Sequence, residues 1–145
     1  MAASTSVMNA TDVLVSISTD GGTTYTVIGK ATSAGLSVTM DTRDTSTKDS
    51  AGWRELLEGQ RSWSLTCDGL VCYNISGKET ASDLYGYLNG RTALTVKFGS
   101  AATDEKVYSG TAYLTSLSQD AGVEDNVSFS ASFEGSSTLT EATNA

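Results

Sequence analysis

The stretch VSFSASFE, residues 127–134, alternates without a break. Val127, Phe129, Ala131 and Phe133 occupy one phase, and Ser128, Ser130, Ser132 and Glu134 the other. Successive side chains of a strand point to opposite faces, so this period of two marks a sheet with one face on a core and the other wet. The wet phase is mostly serine, whereas free-standing sheets commonly carry charges outward. Moving outward along the chain, the same period recurs at Val13, Val15 and Ile17, at Leu36, Val38 and Met40, at Trp63, Leu65 and Cys67, and at Leu94, Val96 and Phe98. Each reads as a half-buried strand. Residues 24–28 return from the first of these after Asp20-Gly21-Gly22, a hairpin signal. Residues 107–118 form a further long strand, in which Gly110 marks a bulge or a close approach.

Two segments break the pattern. Thr80 followed by Asp83 reads as a variant capping box. Leu84, Tyr87 and Leu88 then form one apolar helical face, which Asn89-Gly90 ends. The second segment, residues 42–60 (TRDTSTKDSAGWRELLEGQ), is dense in charge and has no period of two. Trp53, Leu56 and Leu57, spaced i, i+3, i+4, predict one short helical turn before Gly59. A loop of this length in a compact domain is usually functional or disordered. The expected fold class is therefore all-β: a two-sheet β-sandwich or barrel of about seven strands, flanked by one α-helix, with one long loop. The expected organisation is a single domain over 1–145, with a flexible N-terminal arm at 1–11, the loop at 42–60 and a polar tail at 136–145.

Composition excludes much chemistry. The 145 residues contain no His, no Pro and two Cys, and the net charge is −8. Without His there is no usual general base, no common Zn or Cu ligand and no Ser-His-Asp or Cys-His arrangement. No metal site, cofactor or catalytic residue is expected, and the carboxylates stand at no suggestive spacing. Nine Lys and Arg are too few for a basic groove that clamps nucleic acid. Cys67 continues a buried phase and reads as a free thiol; a bridge to Cys72 across a tight turn is the alternative. No signal peptide and no membrane-span-length apolar run is read. There are 21 Ser and 21 Thr. Monomeric sheets guard their edges with Pro, Lys or inward charges, and this chain has five Lys and no Pro. Its edges are expected to be closed by other copies of itself, as when sheets join across subunits into a ring.

The segment Asp44-Thr-Ser-Thr-Lys48-Asp49-Ser-Ala-Gly-Trp53-Arg54-Glu55, followed by Gly59-Gln-Arg61-Ser-Trp63-Ser-Leu65, resembles the major tail proteins, or tail tube proteins, of long flexible-tailed phages. The opening strand, the helix near 80–89 and the closing strand Val127 to Gly135 fall in that family's order, so the resemblance covers roughly residues 12–135. Cys67 and Cys72 have no counterpart in the pattern. The resemblance implies a structural virion protein that runs no reaction. Six copies would form a ring, and rings would stack into a hollow tube conducting DNA from capsid to host. It implies further tail proteins as partners, namely the tape measure, the tail terminator and the distal tail protein. The location would be the virion tail, with assembly in the host cytoplasm.

The long loop would then join subunits and rings. Its candidate contact residues are Asp41, Arg43, Asp44, Lys48, Asp49, Trp53, Arg54, Glu55 and Glu58. A charged loop of this length gains order by docking on a neighbour. Its mixed charges suit cross-subunit pairs that set register. Trp53 is either an interface anchor or a residue capping its own core. The acidic balance fits a lumen that repels DNA weakly and offers phosphates no site. Two alternatives stand beside this reading: a tube-forming component of a contractile secretion system, and a β-sandwich binding module with a flat aromatic platform.

Overall fold

The computed structural model describes residues 13–73, 75–100, 102, 104–123 and 126–143. The expected arm at 1–11 lies outside the described residues, as do 144–145 of the polar tail. The elements are β1 (Val13–Ser18), β2 (Thr26–Val27), β3 (Ala31–Asp44), β4 (Leu56–Leu70), α1 (Ala81–Asn89), β5 (Ala93–Ser100), β6 (Lys106–Asp120), β7 (Ser128–Gly135) and β8 (Thr140–Thr143). The strands pair antiparallel in the order β2-β1-β5-β6-β7-β4-β3, and β8 adds to β6. The fifteen-residue β6 bridges the halves, pairing β5 through Val107–Tyr113 and β7 through Ala112–Asp120.

The phases read in the sequence meet in one core. Val15 and Ile17 of β1, Leu65 and Cys67 of β4, Leu94 and Val96 of β5, and Phe129, Ala131 and Phe133 of β7 are all buried. Strands β1 and β4 are separated by three others in the order, yet share this cluster, so the sheet wraps round it. Leu84 and Ala81 of α1 join the same cluster. Burying each large side chain stabilises the fold by about 1.5–3 kcal/mol. Trp63 is also buried, and its indole N–H donates to the Ser137 carbonyl at 2.8 Å. The ring lies flat on backbone: a methyl built at Gly135 would sit 2.2 Å from it, and one at Gly110 2.7 Å. Gly110 is thus a close approach; the irregularity in β6 falls between Leu114 and Ser116 instead. Cys67 and Cys72 are both free, and burial pushes the Cys67 thiol up to about 12, with Asp68 adding to it.

The helix begins as read. The Thr80 N–H and the Thr80 hydroxyl both donate to Asp83 Oδ2 at 3.0 Å. At its end Gly90 stays right-handed at φ −82°, and Arg91 takes the left-handed position at φ 54°. The Asp20 turn is held by its own carboxylate, which accepts the N–H groups of Thr23 and Thr24 at 3.1 and 3.0 Å. A hydrogen bond from the Ser18 hydroxyl, then those from Thr24 and Thr23, hold the Asp20 carboxyl below its ordinary value.

Five expectations are corrected. The loop is shorter than the segment 42–60: β3 and β4 run on as one hairpin as far as Asp44 and Leu56, leaving 45–55 as the connecting loop. The helical turn around Trp53, Leu56 and Leu57 does not form, because the two leucines lie in β4; a single 3₁₀ turn occupies Lys48–Ser50. Val38 and Met40 are exposed, since β3 is the terminal strand and extends past the core. The polar tail contains β8, which lacks apolar alternation because all four of its residues are exposed. Val127 also falls outside β7 and is exposed.

Candidate assembly surface

The hairpin of β3 and β4 leaves the body as an arm. Its exit is marked by a slip in register between Met40 and Thr42. Gly59 sits opposite, and a methyl there would lie 2.5 Å from the Asp41 carbonyl oxygen. The glycine is needed for this close approach, not to end a helix. Beyond it Thr42 faces Glu58, Arg43 faces Leu57 and Asp44 faces Leu56.

The loop at the tip is tied by short polar contacts. Thr45 N–H donates to the Glu55 carbonyl at 2.9 Å, and Glu55 N–H to Ser46 Oγ at 2.7 Å. Asp44 accepts the Ser46 N–H at 2.8 Å. That bond, then the Ser46 hydroxyl and the nearby Arg54, hold the Asp44 carboxyl below its ordinary value. Ala51 and Gly52 turn the chain with φ of 55° and 85°. Trp53 follows and is 79% exposed. It therefore caps no core of its own, and the core alternative for this residue is set aside.

All nine sequence-expected residues lie on this arm, at exposed positions. The structure brings Asp44, Arg54 and Glu55 together around Ser46. Asp41, Arg43, Lys48, Asp49 and Glu58 are carried beside them. Among the described residues no ion pair within 4 Å is seen at Arg43, Lys48 or Arg54, whereas Lys106 Nζ on β6 lies 3.9 Å from Glu141 Oε1 on β8. Sequence reasoning missed the apolar members. Val38 is 58% and Met40 51% exposed, and Leu56 and Leu57 are exposed as well. The available signal was the absence of any charge in residues 31–40 of an edge strand.

A second surface emerges from the register. Across β3, β4, β7 and β6 the outward phase forms rows: Ser33, Asp68, Ser130 and Ser118; then Gly35, Thr66, Ser132 and Ser116; then Ser37, Ser64, Glu134 and Tyr113. Small hydroxyls dominate, and the charges in these rows are all acidic. Arg61 lies in the opposite phase, facing Met40.

Among the described residues no group of three or more His, Cys, Asp or Glu could hold a metal ion, and no helix is long and apolar enough to cross a membrane. The exposed aromatics Trp53, Tyr73, Tyr85 and Tyr113 stand on separate elements and make no common platform.

Fold and arm together describe a structural β-protein with a projecting hairpin. The chain belongs to the phage tail tube protein family, whose model matches residues 7–141. The fold is similar to that in the tail of an empty gene transfer agent particle refined with C6 symmetry, at 20% identity, a TM-score of 0.76, and coverage of 94% of this chain and 99% of that one. It is similar to the SPP1 tail tube at 14% identity and a TM-score of 0.76, covering 94% of this chain and 80% of that one. A chain of the anti-feeding prophage baseplate also matches, at 12% identity and a TM-score of 0.68, covering 97% and 98%. At these identities the likeness is one of fold. No curated protein matches the sequence.

Proposed function

We propose that six copies of this chain form a ring, that rings stack into a hollow tail tube, and that the tube carries DNA from the virion into the host. The chain acts as one tail-tube domain and runs no reaction. The observation that carries this reading is the arm. In a member of the tail tube family, Trp53, Leu56 and Leu57 on the arm, and Val38 and Met40 on the strand just before it, are held out in solvent. Such residues are commonly buried when a subunit joins its neighbours. Docking also supplies partners for Asp41, Arg43, Asp44, Lys48, Asp49, Arg54, Glu55 and Glu58, which set register across subunits. The sixfold ring takes support from the C6 symmetry of the gene transfer agent tail.

Ring closure joins the long unpaired edge of β3 to a neighbouring subunit and removes an aggregation hazard. The hydroxyl rows suit the wall of the bore. With acids as their charges, they offer phosphates no counterion-releasing contact, so the duplex slides instead of binding. Each ring would carry six times the chain's net charge of −8. The tape measure, the tail terminator and the distal tail protein are the further partners, the virion tail is the location, and assembly takes place in the host cytoplasm. The test is negative-stain microscopy of concentrated protein, alone and with the tail's initiating partner. Hollow tubes with sixfold end views are expected. Protein that remains monomeric under both conditions contradicts the proposal. A tube that required a contractile sheath protein would instead favour a contractile machine.

A further inference from the structure

An apolar groove opens between the first strand and the start of β3. It has a volume of about 730 Å³, and Val15, Ile28, Thr32, Ala34 and Phe98 are among its walls. None of the residues lining it is charged. Asp68 stands beside it, its carboxylate accepting the Ser33 hydroxyl at 3.1 Å, and Lys30 directly precedes the lining residue Ala31 in the chain. This is the chemistry of a pocket for one apolar anchor ringed by polar contacts.

The geometry points to the arm tip of a second copy as the occupant, with Trp53 seated in the groove. The inference rests on the stacked-ring reading and names the surface on which the arm docks. Three observations carry it. First, donor and acceptor stand at opposite ends of one strand. The groove is walled by residues 31–34, whereas the tip follows Asp44, so the length of β3 separates them by roughly 40 Å at the usual rise per residue. A copy cannot fill its own groove with its own tip, and Trp53 is 79% exposed accordingly. Second, a donor at one end and an acceptor at the other make a heterologous contact. Such a contact propagates from copy to copy along the strand direction, and stacked rings need that kind of growth. Third, the charges match. Within five residues of Trp53 the tip carries Lys48 and Arg54, and Asp49 and Glu55, all at exposed positions. Asp68 is there for the cations and Lys30 for the acids, while the uncharged floor is left to the indole.

Cysteine cross-linking tests this in a Cys72→Ser background, where Cys67 stays buried. A protein carrying Ala51→Cys, an exposed tip position that leaves Trp53 in place, is mixed with one carrying Thr32→Cys, assembled and oxidised. A parallel mixture pairs Ala51→Cys with Ser82→Cys, an exposed position on α1. The expected result is a heterodimer band at least about tenfold stronger with Thr32→Cys than with Ser82→Cys. A chain carrying both Ala51→Cys and Thr32→Cys is expected to give a ladder of dimers, trimers and higher species, because each link leaves a free donor and a free acceptor. Tubes that form with no excess of the Thr32→Cys product overturn the groove assignment and leave the tube standing. A double variant that stops at dimers overturns the head-to-tail geometry. Wild-type protein that builds no tube removes the stacked-ring reading, and this assignment with it.

Discussion

The body and the arm of this protein use the same residue types for opposite ends. In the body, Leu65, Phe129 and Phe133 are fully covered, and Trp63 lies on two glycines with its N–H satisfied. On the arm, Leu56, Leu57 and Trp53 are left in water. Strand β4 runs through both regions, with Leu56 and Leu57 on the arm and Trp63 and Leu65 in the body, and the change comes within a few residues of Gly59. Burial inside the chain produces the fold. Apolar side chains withheld from that burial are available for assembly.

This contrast can be broken from the body side first. Phe133→Ala should destabilise the monomer by about 3–5 kcal/mol, read by denaturant unfolding, because it opens a cavity at the centre of the cluster. Gly135→Ala should cost less, about 1–3 kcal/mol, since the new methyl has no room against the Trp63 ring. Trp53→Ala should leave unfolding within about 0.5 kcal/mol of wild type, as an exposed position does. The same change should raise the protein concentration needed for tube growth at least about tenfold, followed by light scattering. A large loss of monomer stability in Trp53→Ala would erase the distinction between the two regions.

The smallest effect concerns Glu79, beside the helix. Burial pushes its carboxyl above 4.5, opposed by the Tyr87 hydroxyl, which donates to it at 3.0 Å, and reinforced by Asp83. An acid whose folded value is raised binds its proton more tightly in the folded chain. Stability therefore falls as pH rises from 4.5 through the raised folded value, and the cost is complete above it. Glu79→Gln keeps an acceptor for Tyr87 and never ionises. Thermal unfolding should find this variant slightly more stable than wild type at pH 7. That margin should shrink as the pH is lowered and level off below 4.5.

Much of the body was legible in the sequence because a half-buried strand writes its two faces in alternate residues. The series at Phe129, Ala131 and Phe133 and at Trp63, Leu65 and Cys67 were read in the phase the structure has. The helix was legible from Thr80 and Asp83, which bond as their spacing implies. The arm was not, for a physical reason. A hairpin that leaves the body has no covered face, so Thr42 to Asp44 and Leu56 to Glu58 carry no alternation. Trp53, Leu56 and Leu57 then mimicked a helical spacing by accident. Val38 and Met40 showed the converse limit: alternation announces an apolar face but does not say whether the same chain covers it. β8 was invisible because both of its faces are wet. The nine candidate residues were found through the family resemblance of the segment around Lys48-Asp49 and Trp53, while the apolar half of the same surface needed the structure.

On the proposed function the arm is held out for a neighbouring subunit. A helical reconstruction of tubes assembled from the purified protein tests this. Sixfold rings are expected, with the Trp53 side chain buried against another copy. Tubes in which Trp53 remains in solvent, with the arm touching no neighbour, would contradict it.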